Sequence, residues 1–339
     1  MRERSLRTGE QAAPLSIGKY PTAVERVAAL STPRSDLWVK RDDRTHEVYG
    51  GNKVRKLEFL LADALARGVT RVVTVGAAGS HHVLATTYFG THAGLEVEAV
   101  LVPQPRTAHV IDVLRADVAQ GLRPFPVTSW GAVPWATMQR IVRGASFIQV
   151  GGSSVVGSMG YVSAARELAG QIRDGVLPEP DVCVVALGSG GTAAGLAAGF
   201  EVEGLRTRVV GVCVSPPAWA LRWRSRWLAR ACAHRVGARA TREAIDARLA
   251  TDGRFMGGGY GHAIAAGDDA TRVADAAAGL ILDPTYTAKA FASALWHVRA
   301  RRGRHILYWH TLSSAPMAPL LEGAPSHGSL AKPLRALAL

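Results

Sequence analysis

The sequence is poor in the residues that would mark a secreted, metal-binding or membrane protein. It has three cysteines, Cys183, Cys213 and Cys232, and no C-x-x-C pair. That excludes a disulfide framework; two of the three lie in apolar, strand-like runs, so buried reduced thiols in a cytoplasmic protein are expected. No apolar run is long enough to cross a bilayer. The basic start, Met1-Arg-Glu-Arg-Ser-Leu-Arg7, is not followed by the apolar stretch of a secretory signal. Also missing are H-E-x-x-H, G-x-S-x-G and G-x-x-x-x-G-K-[ST], so zincin, α/β-hydrolase and P-loop readings lack support. His81 and His82 are adjacent, about 100° apart on a helix, which makes a poor metal pair; no metal is expected.

Lysine is scarce too. Of 40 Lys and Arg residues only six are Lys, against 27 Asp and Glu, for a net charge of +13. Such a balance raises nucleic acid as a partner. The preferred reading is an arginine-rich, solvated surface. The remaining composition is that of an ordinary globular protein: 339 residues, 48% hydrophobic and 20% charged. This length suits roughly two domains or one large α/β unit.

Along the chain, short apolar runs alternate with segments of helical period. Residues 37–40, 71–75, 97–102, 182–187, 208–214 and 305–309 read as strands. Residues 52–67, 82–93, 161–172, 192–200 and 287–299 read as helices, and 274–278 as part of one. Near-continuous apolar strands between helices imply mostly parallel sheets flanked by helices. The Pro-, Ala- and Gly-rich tail from Pro316 reads as an irregular surface strap. Between Arg206 and Arg242 there are nine Arg and no acidic residue. There, Trp219, Trp223 and Trp227 recur at helical spacing beside Arg222, Arg226 and Arg230. Single-stranded nucleic acid could bind such a stripe, but an amphipathic helix with Trp inward and Arg outward is preferred.

Two segments carry chemistry. Gly188-Ser189-Gly190-Gly191-Thr192 follows a strand and opens a helix, the arrangement in which backbone N–H groups and a helix N-terminus hold an anion. Gly188, Gly190 and Ala193 also satisfy G-x-G-x-x-A, but the second strand ends without the carboxylate a dinucleotide site uses. A small phosphate-bearing cofactor fits better. The other segment, Gly50-Gly51-Asn52-Lys53-Val54-Arg55-Lys56, places two of the scarce lysines one turn apart at a helix start. Positive charge there is unfavourable unless an anion binds. Burial and neighbouring cations would favour the neutral amine needed for attack and proton abstraction.

With these motifs the chain resembles the D-cysteine desulfhydrase and 1-aminocyclopropane-1-carboxylate (ACC) deaminase family of pyridoxal-phosphate enzymes. The matching segments run in order from about Tyr20 to His310. They include Leu37–Asp43, Gly50–Ala64, Gly151–Tyr161, Gly188–Thr192, Gly259-Tyr260-Gly261 and Leu282-Asp-Pro-Thr-Tyr-Thr287. The resemblance implies the fold-type-II, tryptophan-synthase-β-like architecture: two α/β domains, each an open, mostly parallel sheet flanked by helices. The expected division is a small inserted domain at residues 48–166 and a large one at 1–47 plus 167–339, with the cofactor between them. It implies pyridoxal 5'-phosphate as cofactor and Lys53 as the lysine that bonds it and takes the α-proton. Lys56 and Gly188–Thr192 would hold the phosphate. Ser80 would assist proton transfer, with His81 and His82 also on the substrate side. Tyr260 and Tyr286 would flank the substrate, and Thr311 would meet the pyridine nitrogen.

The reaction implied is Cα-deprotonation of a small amino acid with β-elimination or deamination to a 2-oxo acid and ammonia. Thr287, where ACC deaminases carry Glu, favours the desulfhydrase side over ACC ring opening. Three departures from the family pattern point to an altered substrate and leave open a biosynthetic relative. His81 replaces the Asn that meets the cofactor's phenolic oxygen, Ser154 replaces Asn, and Leu312-Ser313-Ser314 replaces Gly-Gly after His310-Thr311. A homodimer in the cytoplasm is expected, without membrane or nucleic-acid partners. A basic non-enzymatic scaffold is the reading from another class.

Overall fold

The computed structural model describes residues 12–338; the basic stretch at residues 1–7, on which the reading of no secretory signal rests, lies outside them. In chain order the elements begin with β1 (Val24–Arg26), β2 (Asp36–Arg41), α1 (Asn52–Ala66), β3 (Arg71–Ala77), α2 (His81–His92), β4 (Glu96–Val102) and α3 (Ala108–Ala119). There follow β5 (Arg123–Pro126), α4 (Val133–Val142), β6 (Ser146–Phe147), α5 (Val155–Arg173), β7 (Val182–Leu187), α6 (Gly191–Val202) and β8 (Arg208–Cys213). The run closes with α7 (Ala218–Arg235), α8 (Arg242–Arg248), β9 (Leu249–Asp252), α9 (Ala265–Ala278), α10 (Thr287–Arg299), β10 (His305–His310) and α11 (Lys332–Arg335). None of the described helices is long and apolar enough to cross a membrane.

The chain divides into two units. The smaller comprises described residues 12–17, 57–152 and 316–338; the larger comprises 18–56 and 153–315. The breaks fall at 57 and 152 rather than at the expected 48 and 166, so the first turn of α1 and all of α5 belong to the larger unit. The tail from Pro316 belongs to the smaller unit and is more than a surface strap. Leu320, Leu330, Leu334 and Leu337 are buried, and Gln104 N donates to Leu337 O at 2.8 Å. Regularly placed leucines inside a Pro- and Gly-rich segment supply the apolar anchors its composition conceals.

In the smaller unit the sheet order is β5-β4-β3-β6, all parallel. In the larger unit it is β1-β2-β10-β7-β8-β9, parallel except for the β1–β2 pair. Val182 to Leu187 is almost wholly buried because a central parallel strand is covered on both faces. One face packs Val39, Val184, Val212 and Tyr308 against Ala274, Phe291 and Leu295 of α9 and α10.

Within the larger unit, α5 and α6 meet through small residues. A Cβ on Gly195 would lie 2.4 Å from Ser158 O, and one on Gly199 would lie 2.4 Å from the Ala165 Cβ. The contacts advance together along both helices, so α5 and α6 run parallel and their N-termini open at the same end. Glycine on α6 is what permits the backbones to approach this closely.

Helix α7 corrects a sequence expectation. Trp219, Trp223 and Trp227 face outward, at 74%, 68% and 53% exposure. The inward face is made instead by Ser225, Leu228, Ala229, Cys232 and Ala233. Tryptophan is too bulky for this close-packed layer, whereas serine, alanine and cysteine fit it. Arg230 forms a two-pronged ion pair with Asp246, and Arg226 lies 3.7 Å from the same carboxylate. All three cysteines are buried free thiols.

Candidate active site

The site in the larger unit starts from a glycine turn. Gly51 has φ +90°, a left-handed conformation that glycine adopts without a steric penalty, and a Cβ there would lie 2.7 Å from Thr311 O. That carbonyl accepts from Asn52 N at 3.0 Å. The end of β10, with Thr311 after it, is thereby held beside the turn of α1 that carries Lys53 and Lys56.

Lys53 Nζ donates to Asn52 Oδ1 at 2.6 Å, and Asn52 Nδ2 donates to Thr192 Oγ1 at 3.3 Å. Burial brings the Lys53 amine down from its ordinary 10.5 to about 8, against the opposing pull of Asp283. Such a shift raises the neutral fraction at pH 7 roughly three-hundredfold. Lys56 is buried. Burial, then the positive charges of Lys53 and Arg224, push its pKa well down. Its Nζ donates to Ser153 Oγ at 3.3 Å.

Ser153 joins the lysines to the glycine loop. Its hydroxyl accepts from Gly191 N at 3.0 Å and lies 2.7 Å from Ser189 Oγ. Ser154 caps α5 by accepting from Gly157 N at 3.1 Å. Gly190 precedes α6 at φ +97°, and a Cβ there would lie 2.6 Å from Ser225 Oγ. Two parallel helix N-termini therefore open beside Lys56, the arrangement that favours an anion.

The aromatic side is set by Asp283. Its carboxylate accepts from the backbone N–H groups of Thr285, Tyr286 and Thr287 at 2.9, 2.7 and 3.1 Å, and from Thr287 Oγ1 at 2.7 Å. This pins the turn before α10 and aims the Tyr286 ring at Gly188, where a Cβ would lie 2.9 Å from Cε1. Tyr260 stacks edge-on to Tyr286 with centroids 5.7 Å apart, and the two hydroxyls are hydrogen-bonded. Loss of solvation is the first cause that raises both phenols above their ordinary range; Asp283 adds to it at Tyr260, and Tyr260 and then Asp283 add to it at Tyr286. At the end of β10, His310 is buried and held neutral: burial lowers its pKa to about 4, and its Nδ1 lies 3.1 Å from Tyr308 Oη.

Thus Lys53, Lys56, Gly188 to Thr192, Tyr260, Tyr286 and Thr311 all belong to the larger unit. Ser80, His81 and His82 belong to the smaller one. There Ser80 caps α2 by accepting from Val83 N, and His81 Nε2 lies 3.0 Å from His109 Nε2. His82 is buried with Nε2 2.9 Å from Thr74 Oγ1, which makes it a core residue of that unit. No cluster of three or more potential metal ligands occurs among the described residues. Sequence reasoning missed Ser153, Asn52, Asp283 and Arg224. The first three lie within motifs already noted, but nothing in their spacing revealed their partners.

The pattern of the family described as pyridoxal-phosphate dependent enzyme matches residues 15–311. The chain belongs to that family. Among curated members, a D-cysteine desulfhydrase of Salmonella paratyphi A is 34% identical over 309 residues, covering 86% of this chain and 91% of its own. The crystal structure of an ACC deaminase homologue superposes with a TM-score of 0.77 at 28% identity, covering 92% of this chain and 96% of its own. Threonine deaminase isoform 2 from Solanum lycopersicum, with a TM-score of 0.62 at 16% identity over 89% of this chain and 86% of its own, shares the fold. These relatives confirm the expected fold class of a two-sheet, fold-type-II pyridoxal-phosphate enzyme.

The residues present fit the family's cofactor. A half-buried lysine whose amine is lowered to about 8 stands one helical turn from a buried lysine with Lys53 and Arg224 beside it, near two helix N-termini and glycines that a side chain would clog. A phosphate-bearing aldehyde would meet its amine and its anion site there.

Proposed function

We propose that this chain removes the Cα proton of a small amino acid and promotes β-elimination to a 2-oxo acid and ammonia, in the manner of a D-cysteine desulfhydrase. The observation that carries the reading is the pairing of buried Lys56, which donates to Ser153 beside the glycine loop, with a Lys53 whose amine is lowered to about 8. Bound pyridoxal 5'-phosphate would supply an electron sink for the carbanion. Lys53 would hold the cofactor and carry the α-proton. Lys56, Ser153, Ser189 and the amides of Gly190 to Thr192 would bind the phosphate, and Thr311 would meet the ring nitrogen. Tyr286, held by Asp283 and paired with Tyr260, would act on the leaving group. Ser80 and His81 are assigned to the substrate side from the family resemblance alone.

Thr287 supports elimination over cyclopropane opening, since its hydroxyl is turned onto Asp283. Side-by-side assays with D-cysteine and ACC test this: sulfide and pyruvate from the first support the reading, and 2-oxobutyrate from ACC alone replaces it. Lys53→Ala must remove the visible absorption band of the lysine-bound cofactor; retention of that band refutes the assignment of Lys53. We also infer that the protein works in the cytoplasm as a homodimer. The three free thiols support the first inference, and the outward Trp219, Trp223 and Trp227 stripe supports the second as its contact face. Sedimentation of Trp223→Glu against wild type checks the pairing.

A further inference from the structure

Helix α7 supplies the third wall of the anion site. Ser225 packs against Gly190, and Arg224 reaches both loops that open the paired helices. Its Nε donates to Ser189 O and its Nη2 to Ser153 O, each at 3.1 Å. A peptide unit is planar and trans, so a carbonyl and the N–H that follows it point in opposite directions. Drawing the carbonyls of Ser189 and Ser153 toward Arg224 therefore turns the N–H groups of Gly190 and Ser154 to the other side, ahead of α6 and α5. The same guanidinium adds positive charge near Lys56.

We propose that Arg224 is a positioning residue for the cofactor phosphate, a cross-tie that orients two backbone donors and holds the Ser153–Ser189 contact closed. This rests on the phosphate site described under the proposed function and extends it to a residue outside every glycine motif. Arg224 sits on the surface of α7 with its tip bonded inward, so a neutral replacement leaves the apolar packing in place. Lysine can make one of the two carbonyl contacts but not both, because it lacks the planar fork.

The test compares two ligands on the stripped full-length protein: pyridoxal 5'-phosphate and pyridoxal, which lacks the phosphate. Arg224→Gln and Arg224→Lys are each titrated with both, following the visible band. The expected result is a rise of about tenfold or more in Kd for the phosphorylated ligand with Arg224→Gln, a smaller rise with Arg224→Lys, and less than about twofold change for pyridoxal, in line with loss of charge-assisted bonds at the phosphate end alone. The 31P resonance of the bound cofactor should also shift in Arg224→Gln. Equal losses for both ligands would show a general structural tie and overturn the proposal, as would a wild-type Kd for pyridoxal 5'-phosphate in Arg224→Gln. If wild type itself forms no visible band with either ligand, the proposed function fails first, a distinguishable outcome.

Discussion

Arg55 and Lys56 are consecutive residues of α1, both buried and both cationic, yet their surroundings are opposite. Arg55 donates from Nε and Nη2 to Asp42 at 2.9 and 2.8 Å and from Nη1 to Glu167 at 2.9 Å. Asp42 also accepts from Tyr161 Oη and Trp309 Nε1, and Lys40 joins through Glu167. Burial alone would raise the Asp42 carboxyl, but Arg55, Lys40 and Trp309 outweigh it and hold it low. Likewise burial opposes the Arg55 charge and the two carboxylates restore it. On the next residue the same burial is joined by the charges of Lys53 and Arg224, and the Lys56 pKa falls. The first region is an ion network of paired charges; in the second, neighbouring cations lower a buried amine that sits beside two helix N-termini. The contrast separates what holds α1 in place from what α1 is there to do.

Removing one partner from the paired network should give the largest effect. Asp42→Ala leaves the Arg55 charge without its main counter-ion and should lower stability by about 3–5 kcal/mol in denaturant melts; a loss below 1 kcal/mol would mean the network is not the anchor of α1. The next effect is a pH dependence. Lys53 has its pKa depressed on folding, so its charged form is disfavoured in the native state. Cofactor-free protein should therefore gain stability as pH rises from about 8 to 10.5, because the unfolded chain still binds the proton that the folded one has released. Lys53→Met should flatten that slope, and an unchanged slope would assign it to another group. A smaller change is expected from Tyr161→Phe, which deletes one of several donors to Asp42 and should cost about 1–2 kcal/mol by thermal unfolding. Smallest of all should be Lys56→Met in the cofactor-free protein, with a melting temperature equal to or above wild type while affinity for pyridoxal 5'-phosphate drops. A strongly destabilised Lys56→Met would erase the distinction between the two regions.

Much of the larger unit was legible before any coordinates. Val182 to Leu187 and Thr287 to Arg299 were read with the bounds the structure has, because a buried central strand is continuously apolar and an amphipathic helix repeats its apolar face. Lys53 stood out because only five other lysines compete with it. Less visible were features whose meaning depends on what lies opposite. The Trp219, Trp223 and Trp227 period was read correctly as helical, but period does not say which face is inward; the small-residue packing of α7 decided that. Arg224 is one of nine arginines in its stretch and differs from the others only in which carbonyls it reaches. Asp283 lay in a noted motif without a role until its three backbone donors were in view.

Local pattern by itself determined strands β2, β3, β4, β7, β8 and β10 and most of the helices packed on them, the glycine turn before α6, and the two lysines at the head of α1, since each is a matter of period, conformational freedom or residue type within a few positions. Only the tertiary structure decided that α5 and α6 run parallel with Ser153 joining their starts, that Arg55 meets two carboxylates while Lys56 meets Lys53 and Arg224, and that Arg224 ties the anion loops. Charge balance and donor direction are properties of groups far apart in the chain, and they take values only when the fold has brought those groups within a few ångströms.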